Sequence, residues 1–116
     1  MKKRDRVILA KIIEESSAIS RMLTNIDEIA FLANDEKMRA VCMTLINIGE
    51  LVKNLNDDFR LNHNKIPWKE IAGLRDVAAH GYFALRMPDI WVYASAEIPV
   101  FKTEIEEILA NEEETH

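Results

Sequence analysis

The chain has few of the residues that fix small folds by covalent or conformational constraint. Its 116 residues include one cysteine, three glycines and three prolines. A single cysteine closes no internal disulfide. Cys42 stands in the apolar run Ala40-Val41-Cys42-Met43, which predicts a buried free thiol rather than a reactive one. That usage fits a reducing cytosol and a cytoplasmic protein. There is no cysteine pair, no His-x3-His and no set of carboxylates at ligand spacing, so no metal site is read from the sequence. No Gly-rich phosphate loop is present, and no cofactor is expected. Long apolar runs are missing too. The N-terminus, Met1-Lys2-Lys3-Arg4-Asp5-Arg6, is basic, and Lys11, Glu14 and Glu15 break the stretch after it. That is too polar for a signal peptide or a membrane span. No repeat is visible, and the acidic end, residues 111–116, reads as a frayed solvated tail.

The hydrophobic residues that are present, 48% of the chain, suffice for the core of one domain spanning residues 1–116. A chain this short is only marginally stable alone, and oligomerisation would help it. Net charge is −5, which argues against a protein that coats nucleic acid non-specifically. The charge is unevenly spread. From Arg60 to Arg86 there are five Lys/Arg (Arg60, Lys65, Lys69, Arg75, Arg86) against two acids (Glu70, Asp76), a balance of +3. The remaining ten Lys/Arg and eighteen acids give −8. Chance clustering of surface charge would look the same on composition alone.

Apolar spacing predicts an all-α fold, an up-down bundle of four main helices. The first runs from about Arg4 to Leu32 on a stripe of Ile8, Ile12, Ile19, Met22, Ile26 and Ile29. The second follows the N-cap candidates Asn34 and Asp35, carries Met38, Val41, Cys42, Leu45, Ile48, Leu51 (or Val52) and Leu55, and ends near Asn56-Asp57-Asp58. Residues 57–65 read as a polar loop. Ile66-Pro67-Trp68 opens the third helix, with Pro67 suited to its first position, and Gly81 is expected to end it. Met87-Pro88-Asp89 opens the last, Ile90 to about Leu109, kinked near Pro99. Trp68, Trp91, Phe83, Phe101 and the methionines at this spacing read as core or dimer packing rather than as platforms for stacking bases.

His116 is terminal and His63 lies in the polar loop, so both read as exposed. His80 has chemically interesting neighbours in Leu74-Arg75-Asp76-Val77-Ala78-Ala79-His80-Gly81-Tyr82. Asp76 and His80 fall about 40° apart on one helix face, so the carboxylate can orient the imidazole. Arg75 and His80 are about 140° apart on an ideal helix. They converge only where the helix ends at Gly81, or across a symmetry axis. Taken alone, the same residues also read as surface charges, with His80 a cation favoured by the helix C-terminus and Tyr82 part of the core.

The spacing Arg75-x4-His80-x-Tyr82 resembles the signature of HEPN domains of the HepT-like group, the toxins of HEPN/MNT toxin–antitoxin systems of type VII-like design. Ile66-Pro67-Trp68-Lys69-Glu70-Ile71, Asn47-Ile48-Gly49-Glu50 and Trp91 are similar to that group as well, so the resemblance covers almost the whole chain. It implies a ribonuclease with Arg75 and His80 as the catalytic pair, and Asp76 as the polar residue after the arginine. It further implies Glu50 as a polar residue facing the cleft, and Tyr82 as the tyrosine to which a partner nucleotidyltransferase antitoxin transfers AMP. The implied partners are a second copy in a homodimer, that antitoxin and RNA. A non-catalytic HEPN dimer that binds a nucleotidyltransferase and nucleotide or RNA fits the same residues.

Metal-independent RNA cleavage by 2′-OH attack needs a base, an acid and positive charge on the phosphorane. Imidazole serves the first two roles and guanidinium the third. One chain offers one such histidine, which favours a composite site across a two-fold axis. DNA lacks the attacking hydroxyl, so RNA is the expected substrate.

Overall fold

A computed structural model describes residues 1–83 and 86–114 of the chain. The described residues form helices with no strand among them: α1 (Lys3–Met22), α2 (Glu28–Leu32), α3 (Asp35–Lys53), α4 (Asp57–Asn62), α5 (Trp68–Phe83), α6 (Met87–Val92), a π turn (Tyr93–Glu97) and α7 (Ile98–Glu114). The all-α fold expected from the apolar spacing is what forms. Four long segments, with α6, the π turn and α7 counted as the last, make the bundle, and two short helices join them.

The first predicted helix is divided. α1 stops at Met22 because Asn25 adopts a left-handed φ of 60°, a conformation that asparagine tolerates better than most residues. Asp27 then caps α2, accepting from the Ala30 N–H at 2.9 Å. The break re-aims the chain. Ile29, expected on the buried stripe, is 80% exposed, while Phe31 is fully buried and packs against Trp91 with ring centroids 5.4 Å apart and the planes tilted by 42°. α3 begins where its caps predict, with Asn34 Oδ1 accepting from the Lys37 N–H at 3.0 Å. Its buried face is Val41, Cys42, Leu45, Ile48 and Val52.

The predicted loop at 57–65 contains a short helix, α4. The local cues are an N-cap position at Asn56 and two acids in the first turn, Asp57 and Asp58. The main tie is distant. Asp5, only 1% exposed, accepts from the Asn56 N–H and from Asn56 Nδ2, both at 3.0 Å, so the first turn of α1 holds the entry to α4. His63 ends α4 half-buried rather than exposed. Its ring packs on Phe59 at 4.6 Å, and its carbonyl accepts from Trp68 Nε1 at 3.0 Å.

The last helix accommodates Pro99 through the π turn. Pro99 has no N–H for the carbonyl four residues back, and its ring would crowd it. The widened turn ends at Glu97, so Pro99 falls in the first turn of α7, where no intrahelical donor is needed. α7 continues to Glu114, beyond the expected end near Leu109. It carries residues 111–114 of the expected tail, and His116 lies outside the described residues.

α3 lies against α5 and α1, and α1 also packs on α7. Ile8, Leu9, Ile12, Ile19, Leu45, Ile48, Leu74, Ile98, Phe101 and Ile105 interlock between them as the buried core. No helix among the described residues is long and apolar enough to cross a membrane.

Candidate active site

α5 turns Ile71, Leu74 and Ala78 into the core and leaves Arg75, Asp76 and His80 in solvent. The helix does not end at His80-Gly81 as expected but runs on through Gly81 and Tyr82 to Phe83. This settles the relation of Arg75 to His80 within one chain. On an uninterrupted helix they stay about 140° apart in direction and about 7.5 Å apart in rise. A fraying helix end cannot bring them together.

Arg75 is held from two sides. Its Nε lies 2.5 Å from Glu50 Oε1 on α3, and its Nη1 donates to Asp76 Oδ1 at 3.2 Å. Lys53 Nζ stands 3.8 Å from the same Glu50 oxygen and offsets part of the negative charge gathered there. The Nη2 edge of the guanidinium takes no partner among the described residues. Both Arg75 and Glu50 side chains are 48% exposed, so the pair sits at the surface. Of the residues singled out in the sequence, Arg75, Glu50 and Asp76 thus come together.

His80 does not join them. Among the described residues no hydrogen bond links it to Asp76, whose carboxylate is engaged by Arg75 instead. Proximity explains the choice: adjacent residues and a charged, multi-donor partner favour the guanidinium over an imidazole a turn away. The imidazole is exposed on the neighbouring face. The backbone of Tyr82 continues α5, and its side chain lies outside the described residues.

The basic balance of residues 60–86 is largely compensated in space. Arg60 pairs with Asp57, Arg75 with Glu50, and Arg86 with Asp89, all acids just outside that segment or on another helix. Lys65 and Lys69 remain exposed cations. The phosphate-attracting surface is therefore a few point contacts rather than a broad basic field.

A glycine lies under this arrangement that sequence reasoning had given no role. A Cβ built on Gly49 would stand 2.9 Å from the Ala72 carbonyl oxygen, 2.9 Å from the Arg75 nitrogen and 3.0 Å from the Arg75 Cβ. The available signal was a glycine in the interior of an amphipathic helix, where it costs about 1 kcal/mol against alanine and so marks close backbone approach.

The fold and site define a small all-helical bundle domain that carries an exposed Arg-x4-His pair on one helix, the arginine braced from the next. The comparisons narrow it. The family profile described as "Ribonuclease HepT-like" matches residues 12–108. A protein of Caldanaerobacter subterraneus subsp. tengcongensis, named provisionally as an RNase, is 38% identical over 110 residues, covering 95% of this chain and 98% of its own. One from Methanocaldococcus jannaschii, named in the same way, is 34% identical over 107 residues, covering 91% and 98%. A ribonuclease HepT of Thermococcus cleftensis, also provisional in name, is 32% identical over 108 residues, covering 93% and 98%. No solved structure matches the chain. The chain belongs to the HepT-like ribonuclease family.

Proposed function

We propose that this protein is a metal-independent endoribonuclease, the toxin half of a HEPN/MNT toxin–antitoxin pair, working as a homodimer. The observation that carries the reading is the braced Arg75: its Nε edge is occupied by Glu50, its Nη2 edge is open, and His80 stands exposed further along the same helix. A guanidinium held this way keeps a charged, pre-aimed donor edge for phosphate oxygens. Family membership supports ribonuclease chemistry at these residues.

In the proposed reaction the 2′-oxygen of RNA attacks the adjacent phosphorus as a base takes its proton. The P–O5′ bond breaks as an acid supplies a proton to O5′. The products are a 2′,3′-cyclic phosphate and a 5′-hydroxyl end. His80 of one copy takes one proton-transfer role and the second copy's His80 the other, with the arginines stabilising the phosphorane. The divergence of Arg75 and His80 on one regular helix favours this shared cleft. So does exposed apolar surface on the helix that braces Arg75: Met43 is 58% exposed and lies two turns from Glu50 on the same stripe of α3. The antitoxin of the proposed pair is a nucleotidyltransferase acting on Tyr82. The phenolic oxygen gives up its proton and attacks the α-phosphorus of ATP, pyrophosphate leaves, and the added AMP brings negative charge to the helix that is to receive RNA phosphate.

The test is His80→Ala. Wild-type protein is expected to cleave RNA in the presence of chelator and to arrest growth on expression, and the variant to do neither. Wild type that does neither ends the enzymatic reading. Equal activity of both proteins removes His80 from the mechanism. Mass spectrometry of protein made together with its nucleotidyltransferase is expected to find AMP on the peptide containing Tyr82, and an unmodified peptide would refute that part.

A further inference from the structure

The two helical glycines whose surroundings are described stand in opposite situations. Around Gly73 on α5, an added Cβ would meet nothing within 4 Å. Around Gly49 on α3, it would meet two backbone atoms of α5 at 2.9 Å, the Ala72 carbonyl oxygen and the nitrogen of Arg75, the residue that carries the guanidinium. Contacts that close to backbone cannot be relieved by rotating a side chain. A methyl group there would have to push α5 away from α3.

The neighbouring residue makes this spacing matter. Glu50 follows Gly49 on α3 and reaches Arg75 Nε across the interface. Two helices that carry a Cβ at their contact stand about 8–10 Å apart, whereas glycine lets the backbones touch. A contact ion pair weakens as the carboxylate is drawn away from the guanidinium. We infer that Gly49 is a positioning residue for Arg75: its missing Cβ sets α5 against α3 closely enough for Glu50 to grip the guanidinium and fix its open edge. The inference rests on the proposed catalytic role of Arg75 for its kinetic consequence, while its structural half stands apart from any activity.

Two alanine substitutions separate this role from helix propensity. Gly49→Ala and Gly73→Ala make the same chemical change in a helix interior, and each gains the same intrinsic helix preference. Gly73→Ala is expected to keep the wild-type cleavage rate and the wild-type signal of the Arg75 Nε–Hε group in 15N NMR. Gly49→Ala is expected to shift that signal to the solvent-exchanging arginine position. It should lower kcat by about 10- to 100-fold, as displacements near 1 Å do, with KM changed by less than about threefold. An unshifted Arg75 signal, or cleavage by Gly49→Ala as fast as by Gly73→Ala, overturns the inference. Should Gly49→Ala fail to fold, Glu50→Asp shortens the grip by one methylene without touching the helix contact. It is expected to release the same signal and lower kcat over the same range, and an unchanged signal or rate overturns the inference. If wild type cleaves no RNA, the proposed function fails, and the Arg75 signal in Gly49→Ala still decides the positioning role.

Discussion

Arg75→Lys is the substitution that separates charge from shape at this site. It keeps the positive charge and most of the aliphatic stem. What it loses is the fork. Arg75 meets Glu50 through Nε and Asp76 through Nη1 and still leaves the Nη2 edge open. A lysine ammonium is a single point. It can sit against Glu50 or reach outward to a phosphate, but not both. With both carboxylates close by, the ammonium is expected to stay with them. The phosphorane then loses at least one charge-assisted donor. Removal of one such donor costs catalysis about 100- to 1,000-fold, equivalent to about 2.7–4 kcal/mol of transition-state stabilisation. Folding should hardly notice. The side chains of Arg75 and Glu50 are 48% exposed and that of Asp76 is 64% exposed, and ion pairs at such exposure contribute about 0–1 kcal/mol. Single-turnover cleavage of a defined RNA in chelator gives the rate, and urea unfolding gives the stability. A lysine variant within about fivefold of wild type would mean that positive charge alone suffices, and the argument from the braced guanidinium would be wrong. A large loss of stability would equally show that Arg75 is structural.

Two further predictions concern the fold. Asp5→Ala strands the Asn56 N–H and Nδ2 donors that meet in the buried carboxylate, and should lower unfolding free energy by about 3 kcal/mol in urea titration; a change under about 1 kcal/mol would show that the α1–α4 tie is dispensable. Burial pushes the Cys42 thiol from its ordinary 9.0 up to about 11. Native protein should therefore resist iodoacetamide at pH 8 while urea-unfolded protein reacts. Because the unfolded chain releases this proton first, stability should decline as pH rises from 9 towards 11 and be indifferent to this group below that window. Rapid alkylation of the folded protein would contradict the burial.

The sequence carried the bundle wherever a long stripe met a strong cap. α3 is the clear case, announced by Asn34 and by Val41, Cys42, Leu45 and Ile48. It failed where local polar chemistry overrode the stripe. Ile26 and Ile29 continue the periodicity of α1, yet Asn25 and Asp27 turn the chain, and the buried residue becomes Phe31. α4 is one short turn of acids and amides with Phe59 as its buried residue, too brief to show a period, and its anchor Asp5 is distant in sequence. Gly81 looked like a helix stop, but glycine terminates a helix only when the chain uses its left-handed freedom, and here α5 simply continues. At the site, Arg75 and His80 stood out by spacing. The grip of Glu50 on Arg75 was not readable from residues on separate helices, and Asp76 was assigned to the imidazole when the guanidinium beside it had the stronger claim.

The unbroken run of α5 through Gly81 has a consequence for inheritance. Arg75 and His80 point away from one another on each copy, so on the proposed reading neither copy owns a complete cleft. A cell that makes both an intact and a defective chain cannot keep the two apart. On that reading every mixed dimer would have a damaged cleft, and a defective copy would spoil the intact one it joins instead of merely adding nothing. In a toxin, that makes the inactive allele a dominant antidote, built from the same fold as the poison.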